Sequence, residues 1–453
     1  MTDPFLTGEA TRQRRFCRIV CSSEQHDDIA DQLGIRHYSY GFVERKFSTM
    51  LESMGLAPER IDLPAYYGGR GLEESEESPE GPAIHLMFRS PENLQPIRGC
   101  YNIACFAWEF EILKSQTMPF EHPFLNQTRM LGLCQEIWVP ARFTREVLLK
   151  YGFTNVHYMP APIEVAADEA GRSERIARLR SLVRVPSLPL RLTTMPHWIG
   201  MEDPFRSEIE PLGDRACLLE AINSNRLFVT VFNPHDRRKN AQELILGFMT
   251  ILDQFPDAAL LIKLILPSKW ARAEQIPTYL RGMFDQATTI RCDRIVITSQ
   301  FLTDDEMSAM YGAADFYLCT SVAEGQNLPL LEAMAHGVVP VTPDHTAMSD
   351  YVSEHNGIIV PTCRIASYRP ELAGDVAARP YSVDFASQTD IGKALLRACH
   401  MPLSQREALS ENARDTVARL FSPSTVGALL RDRLAAISRG SSGREPVRAV
   451  ISG

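Results

Sequence analysis

The chain alternates short apolar runs with segments whose apolar residues recur at helical spacing. Helical periodicity is clear in residues 41–54, 141–151 and 304–313. The apolar runs of strand length lie at residues 16–21, 84–88, 103–107, 135–140, 156–160, 227–232, 258–266, 294–298, 317–319 and 338–341. Strands that alternate with helices predict parallel sheets with helices on both faces.

The length of the chain indicates more than one hydrophobic core. At 453 residues, the alternating pattern falls into two groups, which predicts an α/β protein with two doubly wound, Rossmann-like domains facing a cleft. We place the N-terminal domain at residues 1–195, an interdomain segment at 196–225 and the C-terminal domain at 226–403. Residues 404–453 are predicted to form helices and a tail.

Composition and charge narrow the class of protein. The net charge of −9 argues against a nucleic-acid partner, so an anionic ligand would need a local basic pocket. The ten cysteines form no CxxC pair or metal-binding spacing, which indicates a reduced, cytoplasmic protein. No apolar run approaches the roughly 20 residues of a membrane span, so any contact with the inner face of a membrane is expected to be peripheral.

Residues 317–341 form the most informative stretch, predicted as strand, loop, short helix and strand. Pro329 suits the first turn of the helix, and Gly337 suits its C-terminal end. Glu324 lies in the loop before the helix and Glu332 in its predicted first turn. A helix N-terminus can hold a phosphate, and a carboxylate beside it can accept hydrogen bonds from ribose hydroxyls. This spacing suits a nucleotide-sugar site.

The sequence from Glu324-Gly325 to Glu332-Ala333 resembles the E-x7-E signature of family 4 glycosyltransferases, which are retaining enzymes with the GT-B fold. Many members carry a second glycine where this chain has Asn327. The resemblance implies a UDP-, GDP- or other nucleoside-diphosphate sugar as donor and no metal or other cofactor. It also implies that the last helix crosses back to the first domain.

The basic loop at residues 233–240, NPHDRRKN, resembles the loop in which family 4 enzymes bind the donor diphosphate. The resemblance assigns Arg238 and Lys239 to the diphosphate and leaves Arg237 facing water. The chemistry agrees, because the leaving diphosphate gains charge as the glycosidic bond breaks and fixed cations stabilise that charge. Glu324 would then support the donor sugar in the transition state, and Glu332 would bind the ribose.

Further residues are assigned by the same resemblance. Gln300 and Phe301 are expected at the nucleotide base. Thr346 is expected at sugar or phosphate, although a helix cap explains it equally well. Glu109, in a Trp-Glu pair that resembles the WEL-type segment of some members, is expected at the acceptor or sugar, and Gly41 is expected to open a helix there. The remaining donor-loop residues are Gly325, Gln326, Asn327 and Leu328.

The predicted reaction is transfer of a sugar, with retention, to a glycan or lipid-linked glycan acceptor, as in polysaccharide biosynthesis. A nucleotide-sugar epimerase, a phosphorylase or a catalytically silent GT-B binding module are the alternatives. The identity of the donor sugar, the acceptor and the oligomeric state stay open at this point.

Overall fold

The computed structural model describes most of both predicted domains. The described positions are residues 18–24, 39–62, 64–67, 83–115, 122–165, 188–194, 226–267, 288–299, 301–367 and 381–440, with single positions at 224 and between 174 and 179.

The first sheet is parallel throughout, and its six described strands run in the order β2-β1-β3-β4-β5-β6. These strands are β1 (Ile19–Ser23), β2 (Glu59–Arg60), β3 (Ile84–Phe88), β4 (Tyr101–Cys105), β5 (Glu136–Val139) and β6 (Val156–Tyr158). The α-helices around it are α1 (Ser39–Ser53), α2 (Pro64–Tyr67), α3 (Gln127–Leu131) and α4 (Arg142–Lys150).

The second sheet has seven described strands in the order β13-β12-β11-β8-β9-β10-β7. They are β7 (Leu188–Thr194), β8 (Arg226–Phe232), β9 (Ala258–Leu264), β10 (Thr288–Thr298), β11 (Phe316–Leu318), β12 (Val339–Thr342) and β13 (Ile358–Ile359). A separate antiparallel hairpin joins β14 (Cys363–Ser367) and β15 (Tyr381–Phe385). The later helices are α5 (Ala241–Met249), α6 (Asp304–Ala313), α7 (Leu328–Ala335), α8 (Gln388–His400), α9 (Leu403–Phe421) and α10 (Pro423–Gly440).

Strand β7 belongs to a different domain from the one predicted for its residues. Residues 188–194 fell within the predicted N-terminal domain, but they pair antiparallel with β10 in the second sheet. Strand β10 is eleven residues long, and β7 covers the edge that this strand would otherwise leave unpaired. Nearly all of the predicted interdomain segment, residues 196–225, lies outside the described residues.

The last two helices pack on different domains. Helix α9 stays on the C-terminal domain, where Ala413 and Val417 are fully buried in the core. Helix α10 crosses back as expected: Val426, Leu430 and Leu434 are fully buried in the core of the first sheet. Their spacing of four residues puts them on one helix face, so α10 is amphipathic. In the described part of the chain, no helix has the length and apolarity needed to cross a membrane.

The hairpin of β14 and β15 also contacts the N-terminal domain. Phe110 packs edge-on against Tyr381 with ring centroids 5.5 Å apart. The Ser382 N–H donates to Glu111 Oε1 at 2.9 Å, and Arg364 pairs with the same carboxylate at 2.5 Å. The segment after β4 is therefore held by the opposite domain.

His85 is a structural residue inside the first sheet, as expected from its place in a strand. It is fully buried, with Nε2 2.9 Å from Ser22 Oγ and Nδ1 3.1 Å from Asn102 Oδ1. The Asn102 amide nitrogen donates to the carbonyls of Ile97 and Cys100, so its oxygen must accept from His85. Burial lowers the pKa of His85 to about 4.

This neutral histidine predicts a loss of stability in acid. Below pH 6.5 this histidine is protonated in the unfolded chain but stays neutral in the folded protein. The free energy of unfolding therefore falls as the pH drops from about 6.5 to about 4. At pH 5 the loss is about 2 kcal/mol. Urea unfolding of wild type and His85→Gln at pH 7 and pH 5 measures it. The exposed His355→Gln should keep the wild-type pH dependence, and an equal dependence in His85→Gln would contradict the assignment.

Candidate functional site

The basic turn and the glutamate loop lie side by side at one edge of the second sheet. Strands β8 and β11 are parallel neighbours, so the loops that follow them meet. The Val322 N–H donates to the carbonyl of Arg238 at 2.8 Å, and Thr320 Oγ1 donates to the carbonyl of Lys239 at 3.0 Å. The turn and the loop that sequence analysis assigned to one donor site are therefore held together by the backbone.

Lys239 and Glu324 form a short ion pair within this site. Lys239 Nζ lies 2.6 Å from Glu324 Oε1, and Glu324 is 5% exposed. Burial lowers the pKa of Lys239, but the charges of Glu324 and Asp236 outweigh it and raise the pKa. Burial raises the pKa of Glu324, but Lys239 and Arg238 outweigh it and lower the pKa. Both side chains therefore stay charged at neutral pH.

Arg238 is held from two sides by carboxylates. Asp236 accepts from Nε at 2.9 Å and from an Nη at 2.7 Å, a bidentate contact that fixes the plane of the guanidinium. On the other side Arg238 pairs with Glu109 of the N-terminal domain. Glu109, predicted at the acceptor or sugar, therefore reaches the donor cations across the cleft. Arg237 is exposed, as expected.

Asp236 was missed by the sequence analysis, although it directly precedes the three basic residues. Burial and the charge of Glu324 raise the pKa of Asp236 to about 6, with Lys239 opposing them. A carboxylate before a basic run reads equally well as a surface turn, and only the fold shows that Asp236 orients Arg238.

Gly325 lies against the N-terminal domain. A Cβ at Gly325 would come 2.7 Å from the Cβ of Ala107 and 3.4 Å from Glu109 Oε2. Two Cβ atoms cannot approach so closely, so the glycine permits the contact between the two loops. Gln326 bridges the domains in another way, since its amide bonds to both the N–H and the carbonyl of Ala161 at 3.2 Å.

Asn327 and Leu328 start helix α7. Asn327 has a φ of 63°, in the left-handed region where asparagine is tolerated, and its side chain accepts from the N–H of Leu330 at 3.4 Å. Leu328 packs against the buried clusters of both domains. The donor-binding roles predicted for Gln326, Asn327 and Leu328 stay predictions, because these side chains also have structural partners.

The position of Glu332 corrects the sequence analysis. Helix α7 begins at Leu328, one residue before Pro329, because Asn327 occupies the N-cap. Glu332 is thus in the second turn, and the first turn carries no acid. Its carboxylate faces Lys46 of helix α1, with Oε1 3.6 Å from Nζ. Burial raises the pKa of Glu332, with Lys46 opposing. Lys46 had no sequence signal, since it is one basic residue of an amphipathic helix.

Thr346 contacts the glutamate loop rather than capping the helix that follows. The short 3-10 helix Thr346–Asp350 has His345 at its N-cap, without a side-chain capping bond. Thr346 Oγ1 instead accepts from the Glu324 N–H at 3.0 Å, and the Glu324 carbonyl accepts from the Ala347 N–H at 3.2 Å. Thr346 therefore positions Glu324, and its contact with a ligand stays a prediction.

Gln300 and Phe301 are the residues predicted at the nucleotide base. Gln300 lies outside the described part of the chain, and Phe301 is 43% exposed. Their contact with a base stays a prediction.

Gly41 does not open a helix as predicted. Helix α1 begins at Ser39, so Gly41 lies within it. Gly41 is buried, and its neighbour Tyr40 donates to the carbonyl of Ala107 at 3.5 Å. Among the described residues, no group of three or more His, Cys, Asp and Glu has a metal-binding arrangement.

The fold is that of known GT-B enzymes. The alpha,alpha-trehalose 6-phosphate synthase of Burkholderia multivorans superposes with a TM-score of 0.54 at 12% identity, covering 94% of this chain and 100% of that one. Anabaena Alr3699/HepE, solved with UDP and glucose, gives 0.53 at 10% identity, covering 92% and 100%. S. aureus TarM gives 0.49 at 10% identity, and the match covers 82% of this chain but only 58% of that longer chain.

The sequence comparison points to the C-terminal domain. No curated protein matches the sequence. Residues 226–369 match the family described as Glycosyl transferases group 1, a segment that contains both the basic turn and the glutamate loop. The chain thus has the GT-B fold, and its C-terminal domain carries the sequence pattern of the group 1 glycosyl transferases.

Proposed function

We propose that this protein is a retaining, family 4 glycosyltransferase that moves a sugar from a nucleoside-diphosphate sugar to a glycan or lipid-linked glycan. The observation that carries the proposal is the joint placement of Arg238, Lys239 and Glu324 in two backbone-linked loops, inside the segment that matches the group 1 family.

The diphosphate is expected to bind at Arg238 and Lys239. Its oxygens suit the guanidinium of Arg238, where they would replace the carboxylate of Glu109. Bond cleavage moves negative charge onto the diphosphate, and two cations fixed in a low-dielectric cleft stabilise that charge more in the transition state than before it. These cations would do the work that a divalent metal does in other transferases.

Glu324 is proposed to support the positive charge that develops on the donor sugar. The carboxylate is buried, and its low pKa keeps it ionised. Attack on the face from which the diphosphate leaves would retain the configuration and would need no separate nucleophile. Glu332 is proposed to accept hydrogen bonds from the ribose, in competition with Lys46.

A panel of nucleoside diphosphates and nucleotide sugars tests the proposal. The donor at 100 times its Kd should add about 2.7 kcal/mol to the free energy of unfolding. UDP-glucose is the first choice, because the Anabaena neighbour was solved with UDP and glucose. Failure of every nucleotide to protect the protein would refute the proposal. Conversion of the donor sugar without acceptor would favour the epimerase instead.

A further inference from the structure

The strand order of the first sheet marks a second place where a ligand is expected. Strand β2 lies on one side of β1, and β3 begins the series on the other side. The connections therefore diverge between β1 and β3. In open α/β sheets, ligands bind outside the carboxyl ends of the strands at such a switch point. Here those ends are the paired residues Ser23 and Phe88.

Arg89 occupies this switch point. It directly follows β3, and one Nη donates to the carbonyl of Ser23, the last residue of β1, at 2.5 Å. The guanidinium therefore reaches across the carboxyl ends of both strands. Arg89 is only 5% exposed, and within the described part of the chain its Nε is buried without a hydrogen-bond partner.

Glu24 does not complete the hydrogen bonding of Arg89. Its charge acts on Arg89, but its Oε1 accepts from the Ser90 N–H at 2.9 Å, from Ser90 Oγ at 3.0 Å and from the Asn93 amide at 3.2 Å. Burial lowers the pKa of Arg89, with Glu24 opposing. A buried cationic donor without a partner costs free energy, and a bound anion would recover it.

Arg89 and Glu109 follow β3 and β4, two parallel neighbours whose last residues Phe88 and Cys105 are paired, so both lie beyond the same edge of the first sheet. The Tyr40 hydroxyl donates to the carbonyl of Ala107, next to the loop that carries Glu109. Burial and the charges of Glu24 and Glu92 raise the pKa of Tyr40, whereas Arg238 lowers it. Tyr40 thus lies within electrostatic reach of both Glu24, beside Arg89, and Arg238, on the donor side. A molecule at Arg89 would face the donor from the N-terminal domain.

We propose that Arg89 binds an oxyanion of the acceptor, so that the acceptor substrate carries a phosphate or a carboxylate. The inference rests on the proposed function, because it takes the ligand of the N-terminal domain to be the acceptor. The planar guanidinium matches both oxyanions, and it remains charged after burial.

The test is binding of inorganic phosphate to the full chain saturated with UDP, which keeps phosphate away from Arg238 and Lys239. Titration calorimetry should show saturable binding to wild type. Arg89→Gln should weaken it by about 10- to 100-fold, the effect of one charge-assisted hydrogen bond, and should leave UDP affinity unchanged. The exposed Arg98→Gln is the matched control and should bind phosphate like wild type.

Several results would overturn the proposal. The first is that the wild type binds neither phosphate nor acetate, and the second is that Arg89→Gln binds phosphate as tightly as the wild type does. The third such result is that Lys239→Ala loses phosphate binding while Arg89→Gln keeps it. If Arg89→Gln does not fold, Arg89→Lys decides: a weaker affinity supports the proposal, and wild-type affinity overturns it. If acetate competes with phosphate, the acceptor carries a carboxylate. If phosphate binds and acetate does not compete, the acceptor carries a phosphate. Failure of the protein to bind any nucleotide would count against the proposed function, whereas phosphate binding at Arg89 can still be measured then.

Discussion

Replacing Lys239 by alanine is expected to lower kcat/KM for sugar transfer by about 10²- to 10³-fold, or about 2.7–4 kcal/mol of barrier. The lysine supplies a fixed positive charge where the leaving diphosphate becomes more negative. The substitution also leaves Glu324 buried without the cation 2.6 Å away, so the pKa of Glu324 should rise and its carboxylate should become a weaker stabiliser of the sugar.

Initial rates with the donor found by the nucleotide panel measure this effect. Glu324→Ala should lower kcat/KM to a similar extent, and the double variant should lose little more than either single one, because the two side chains act as a pair. Lys393→Ala is the control, since that lysine side chain is 67% exposed on α8. Near-normal turnover in folded Lys239→Ala and Glu324→Ala would remove the basis of the mechanism.

Substituting Gly325 by alanine is expected to lower kcat/KM by about 10- to 100-fold by forcing the two domains apart at the site. The added Cβ would lie 2.7 Å from the Cβ of Ala107, which has no rotamer to escape into. Overpacking of this kind typically costs about 1–3 kcal/mol. The separation would draw Glu109 away from Arg238, while the backbone contacts within the C-terminal domain would remain.

Gly427→Ala is a matched control for this prediction, because Gly427, on α10, also faces a residue of the N-terminal domain. Its Cβ would meet Met50 Sδ at 3.7 Å and Met50 Cγ at 3.9 Å, which are ordinary contact distances. Kinetics should therefore change in Gly325→Ala and not in Gly427→Ala, with nucleotide affinity measured alongside. A wild-type kcat/KM in Gly325→Ala would mean that the two loops do not touch when the reaction occurs.

Local signals predicted much of the fold and the donor side. Helix α6 was predicted at its observed bounds, because Thr303 is a typical N-cap residue; in the structure Thr303 and Glu306 form a capping box. Strand β3 was likewise predicted at 84–88, since it is a bounded apolar run. Lys239 and Glu324 were assigned to one donor site by the family resemblance, and both follow predicted strands, whose loops meet at one sheet edge.

Long-range partners could not be predicted from these signals. The contacts of Glu109 with Arg238 and of Lys46 with Glu332 join separate domains, and no periodicity encodes such a pairing. Strand β7 gives no strand signal of its own because it contains Pro189, and its partner β10 lies about a hundred residues later in the chain. The shift of Glu332 by one residue, into the second turn, depends on Asn327, which adopts a left-handed backbone and occupies the N-cap.

The packing of helix α10 on the N-terminal domain has a consequence for folding during translation. Strands β1 and β3–β5 leave the ribosome long before Val426, Leu430 and Leu434, which complete the same core. Until these leucines and valine arrive, the core that contains Phe47 and Leu86 lacks the apolar face of α10 and is open to chaperones or to aggregation. The nascent N-terminal half is thus expected to mature only after translation of the C-terminal half, so the domain made first is the last to become stable.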